Sequence, residues 1–124
     1  MLRFTSCLFS TVVIHAFYVQ DLFYHHIFLM VTVFSVFFHC SPKEGLFTIR
    51  LLDKAVAHAA YLYVLTDAPD VIASDMVWLL LFPIMTAVLW YMQGLVEERN
   101  RVRLHACLHL VGVTGLHCFL TFIR

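Results

Sequence analysis

Apolar stretches of bilayer-crossing length follow one another along nearly the whole chain, and that succession limits the fold more than any single residue does. They cover residues 4–18, 23–40, 46–66, 71–92 and 103–123. The hydrocarbon core of a membrane is about 30 Å thick, so one helical crossing takes roughly 20 apolar residues. Five such stretches leave almost no chain for an extramembrane domain, so residues 1–124 read as a single transmembrane helical domain. With 62% of residues hydrophobic and 13% charged, the chain lacks the polar surface that a soluble fold of this length needs. The alternating pattern of a membrane β-barrel is absent. The predicted class is therefore all-α, an integral membrane bundle of about five transmembrane helices.

The joints and the charges give this bundle an order and a direction. Ser41-Pro42 stops the second stretch, and Gly45 lies in the turn that follows. Asp67-Ala68-Pro69-Asp70 reads as a second, solvated turn, and Glu97-Glu98-Arg99-Asn100-Arg101 as a third, hydrated one. Pro83 predicts a kink inside the fourth crossing, with Trp78, Trp90 and Tyr91 as interface anchors. Arg3, Lys43, Arg50, Arg99, Arg101 and Arg103 all fall on one face of a five-crossing bundle. Only Arg124 falls opposite. The positive-inside rule puts the N-terminus on the cytoplasmic (or matrix) side of the membrane. Formal net charge is zero, and no nucleic-acid partner is expected.

The first stretch has the outline of a signal peptide, but no small-x-small cleavage site follows it, and we read it as a retained helix. The four cysteines, Cys7, Cys40, Cys107 and Cys118, fit neither a disulfide scaffold nor a CxxC zinc site, and read as buried small thiols. Gly112, Thr114 and Gly115 form a small-residue face suited to close helix contact, within the chain or in a homo-oligomer or larger membrane complex.

Among eight histidines, position is more informative than number. His39 ends the second crossing, Asp53 lies about two turns into the third, and His105 and His109 open the fifth. At 1.5 Å per residue all four lie within roughly 10 Å of the same membrane surface. His105 and His109 are four residues apart, so both imidazoles leave one helix face. Ser35 and His39 have the same spacing. Three neutral imidazoles and a water form the open zinc site used to activate water. Asp53 is placed to orient or deprotonate that water, and Ser35 to donate a hydrogen bond to a substrate carbonyl or oxyanion.

The run Ser35-Val36-Phe37-Phe38-His39-Cys40, then Asp53 on the next helix, then His105-Ala106-Cys107-Leu108-His109 on the last, resembles the CREST superfamily of membrane hydrolases. That superfamily includes alkaline ceramidases, progestin and adipoQ receptors, GPI-remodelling lipases and myomaker-like proteins. The resemblance covers about half the chain and is nearest to the myomaker-like branch between residues 24 and 66. It implies zinc held by His39, His105 and His109, with Ser35 and Asp53 assisting hydrolysis of a lipid amide or ester drawn from the membrane. Members usually have seven helices, so this chain is two short.

Other readings stay open. Asp53 alone is explained by pairing with Arg50, and Ser35 by a bond to its own helix backbone. A haem between His58 and His117, or between His15 and His117, would make the chain a haem-binding or quinone-site membrane anchor. A non-catalytic membrane subunit, or a myomaker-like fusion or structural protein, is the third class.

Overall fold

The computed structural model describes residues 2–40 and 46–123, all of it helices and short joints with no strand among them. Helices α1 (Leu2–Cys7) and α2 (Phe9–Tyr18) are nearly one rod, because Leu8 between them keeps helical dihedrals. They are followed by α3 (Leu22–Cys40), α4 (Leu46–Leu65) and the short α5 (Ala68–Ala73). A 3-10 turn (Val77–Leu80) leads into α6 (Leu81–Gln93), and α7 (Glu98–Phe122) closes the fold. Two of these helices, Leu22–Cys40 and Glu98–Phe122, are long and apolar enough to cross a membrane; Leu2–Tyr18 and Val77–Gln93 are apolar but shorter. The expected joint at Ser41-Pro42 and Gly45 lies outside the described residues, as do Lys43 and Arg124.

Helical periodicity determines which side chains point inward. On α3 the buried residues are Tyr24, Phe28, Val31 and Ser35, spaced four, three and four apart, a single stripe down one face. Phe9, Val12, Val13 and Ala16 do the same on α2. On α7 the stripe contains Ala106, His109, Val113, Leu116 and Leu120. Contacts set the directions. Ser35 meets Ser6 and His25 meets the Val13 carbonyl, so α3 runs antiparallel to α1–α2. Thr5 meets His109 and His15 meets His117, so α7 runs parallel to α1–α2. Tyr63 stacks near Phe23, Trp90 near His58 and Phe122 near Trp78, so α4, α6 and α7 alternate in direction. The end of α3 and the starts of α1 and α7 consequently share one end of the bundle.

The joint after α2 falls between the first two apolar stretches, as expected. There Gln20 takes a left-handed conformation (φ 60°), and Gln20 N–H and Asp21 N–H donate back to the Phe17 and Ala16 carbonyls. Asp21 then caps α3 by accepting from the Tyr24 N–H at 3.0 Å. The same device recurs at Asp75 (φ 59°), with bonds back to Ile72 and Val71. It breaks the expected fourth crossing at residues 71–92 into α5, the 3-10 turn and α6. Pro83 accordingly sits in the first turn of α6, where its missing N–H costs nothing, and not in mid-helix. In the Asp67–Asp70 segment Pro69 and Asp70 are exposed, as expected of a turn, but Asp67 is not. Asp67 is buried and accepts a hydrogen bond from the Tyr24 hydroxyl, while Ala68 starts α5. The Glu97–Arg101 segment is helical from Glu98 onward, since a glutamate in the first turn favours the positive end of the helix.

The cysteines also differ from expectation: Cys7, Cys40 and Cys107 are exposed and Cys118 is half-buried. Cys7, Cys40 and Cys107 sit on the outer sides of their helices, whereas Cys118 packs against the core. Gly115 is used within the chain. A Cβ there would lie 2.6 Å from Phe82 Cβ and 2.8 Å from Phe82 Cγ, so α6 and α7 touch at the level of the backbone. Gly115→Ala is expected to destabilise the fold by about 1–3 kcal/mol, because the obstructing atom is too near the α6 backbone to swing aside. A lower melting temperature in detergent tests this, and an unchanged one contradicts the contact.

Candidate metal centre

The stripe on α3 and the opening turns of α7 bring His39, His105 and His109 together. One ligand nitrogen from each lies within 4.8 Å of the other two. Ring centroids are 5.3 Å apart for His39–His105, 5.8 Å for His39–His109 and 4.6 Å for His105–His109, all edge to face. Three zinc-bound nitrogens at 2.0–2.1 Å from the ion stand about 3.3 Å from one another in a tetrahedron. Small rotations of the rings bridge the difference.

The chemistry of the exposed lone pairs is a stricter test of fit. His39 Nε2 and His105 Nε2 are buried and have no hydrogen-bond partner among the described residues. A buried polar nitrogen is ordinarily satisfied, and two orphans facing a common centre are what a cation would satisfy. The donor set is all imidazole, which suits zinc and neighbouring transition metals and not calcium or magnesium. Residues and geometry fit a metal ion.

The remaining expected residues lie around the same space. A chamber of about 680 Å³ is lined by Ser35, His39, Asp53, His105 and His109, so all five converge. Asp53 lines its wall but is not one of the close group of three. Ser35 is buried and its hydroxyl donates to Ser6 Oγ at 3.0 Å. Among the described residues, Arg50, Lys54 and Arg101 line the chamber too, and Asp53 is the one carboxylate there. A second cavity, about 360 Å³ and almost wholly apolar, adjoins it through shared walls at Phe9, Val31, Ala57, Trp90, Tyr91 and Leu108. It lies where α4 faces α6, bridged by the Tyr61 hydroxyl on the Pro83 carbonyl and by His58 against Trp90.

Sequence reasoning missed Thr5, Ser6 and Gln93. Thr5 Oγ1 is 3.0 Å from His109 Nδ1, and Gln93 Oε1 is 3.0 Å from His105 Nδ1. Each is a lone polar side chain in an apolar run or at a helix end, with no spacing that points to a distant partner. Arg3 adds a bond from Nε to the His39 carbonyl at 3.1 Å.

The haem pairings fare poorly. His15 Nδ1 and His117 Nδ1 are 2.8 Å apart, with the rings stacked at 5.0 Å, which leaves no gap for a porphyrin between them. Thr11 holds the other nitrogen of His117 at 2.9 Å, and His58 bonds the Lys54 carbonyl. No family model, curated protein or solved structure matches the chain.

Proposed function

We propose that the chain is a compact multi-pass membrane hydrolase of the CREST type, zinc-dependent and acting on a lipid amide or ester. The observation that carries the reading is the convergence of three imidazoles, two with orphaned nitrogens, on a chamber that Asp53 and Ser35 also line. Large apolar side chains such as Phe4, Ile14, Phe17, Phe23, Leu62 and Ile84 cover the outside, a surface suited to lipid and not to water. In that setting Arg3, Arg50, Arg99, Arg101 and Arg103 mark the cytoplasmic (or matrix) side, and the chamber lies at that end of the bundle.

His39, His105 and His109 would hold the ion, which when bound polarises a carbonyl and lowers the pKa of water. Asp53 accepts a proton from the attacking water as it adds to the carbonyl carbon, and returns it to the amine or alkoxide that departs as the C–N or C–O bond breaks. The Ser35 hydroxyl, hydrogen-bonded to Ser6 in the free protein, instead donates its hydrogen bond to the substrate oxygen on which negative charge develops. The apolar cavity between α4 and α6 receives the acyl chain. The test is release of fatty acid from acylated lipids by zinc-loaded protein in detergent micelles, absent from the metal-free protein.

Charge defines the headgroup. With three cations against one carboxylate among the described residues of the chamber wall, phosphate-bearing acyl lipids are expected to be better substrates than neutral ones. Arg50→Gln/Lys54→Gln is expected to raise KM for the phosphate-bearing lipid by about tenfold, at most about 1 kcal/mol for each exposed cation. KM for a neutral lipid should stay unchanged. Equal effects on both lipids would contradict this assignment.

A further inference from the structure

We propose that Thr5 and Gln93 are positioning residues of the metal centre, each holding one imidazole in the tautomer that presents Nε2 to the ion. The inference rests on the metal reading above, but it concerns residues on α1 and α6, outside the helices that carry the histidines and Asp53.

The hydrogen bonds fix the directions. Thr5 Oγ1 has one proton, and it goes to the Leu2 carbonyl at 3.1 Å. Toward His109 Nδ1, 3.0 Å away, the hydroxyl is therefore an acceptor, so Nδ1 carries the hydrogen and Nε2 carries the lone pair. Gln93 Oε1 accepts only, so His105 Nδ1 is also protonated and His105 Nε2 is bare. The present amide orientation leaves Gln93 Nε2 as a buried donor without an acceptor among the described residues, whereas the opposite one would put the hydrogen on His105 Nε2, a buried atom with no acceptor among them either. An ion satisfies the first arrangement and is repelled by the second.

Both supports are anchored. Thr5 is buried on a helix that packs against α3 and α7. Gln93 ends α6, and its main-chain carbonyl accepts from Arg101 Nε of α7 at 3.1 Å, so its amide is tied to the helix that carries His105. Bonds of this kind orient metal-bound histidines and raise their basicity, and losing one costs about 10–100-fold in metal affinity. The first helix then belongs to the metal centre as much as to the packing.

The experiment uses the full chain in detergent, with zinc affinity measured by competition against a chromophoric chelator. Cobalt(II) is the spectroscopic probe. Thr5→Val and Gln93→Leu are each expected to weaken zinc binding about 10–100-fold and to change the cobalt d–d bands. Thr5→Ser and Gln93→Glu keep an acceptor and are expected to bind within a few-fold of wild type. If Thr5→Val does not fold, the Gln93→Leu and Gln93→Glu pair decides. Wild-type protein that binds zinc, with both Val and Leu variants matching it in affinity and spectrum, overturns the positioning role alone. Wild-type protein that binds no zinc overturns the metal centre and this inference with it.

Discussion

Replacing His105 and His109 together with alanine is expected to remove zinc from the purified protein altogether, while the helices and their packing remain. The two imidazoles leave one face of α7 a turn apart, with ring centroids 4.6 Å from each other, and they supply two of three ligands. His39 alone, on α3, has no second ligand to chelate with. The double variant opens a cavity where His109 was buried, so some loss of stability accompanies it. Circular dichroism and metal content measured on the same sample separate the two effects. A helical protein without zinc agrees with the site, and a helical protein with undiminished zinc places the ion elsewhere.

Asp53→Asn is expected to lower kcat by about 10²–10⁴-fold, the usual worth of a general base, and to leave zinc in place. Asp53 lines the chamber without joining the group of three imidazoles, so its carboxylate can serve the reaction without serving the ion. The amide keeps the shape and loses the ability to take a proton. Retained turnover would remove Asp53 from the mechanism. Zinc bound by the wild type with no lipid cleaved by it would leave a structural metal site, as the myomaker-like reading holds.

The residues that could be read from the chain alone were those whose spacing has a helical meaning. Ser35 and His39, and His105 and His109, are each four apart, so a shared face follows from the pitch of the helix, and a shared chamber lining is what the fold contains. Their partners could not be read this way. Thr5 is 104 residues from His109, and a threonine in an apolar helix is as readily explained by a bond to its own backbone. Only the parallel packing of α1 on α7 makes it a partner of the imidazole. Asp67 looked solvated because Pro69 and Asp70 surround it, and its burial depends on Tyr24, 43 residues away. The break in the fourth stretch depends on the left-handed turn at Asp75, a conformation that aspartate tolerates but does not announce. Cys107 lies between the two histidines in sequence, yet it leaves α7 at another angle, and that angle makes it exposed and not buried.

Metal quantification on detergent-purified wild-type protein decides whether His39, His105 and His109 form one metal site. About one zinc per chain is expected, removed by a strong chelator and restored by added zinc. Protein that contains no zinc and takes none up, or that instead shows a haem Soret band, would contradict such a site.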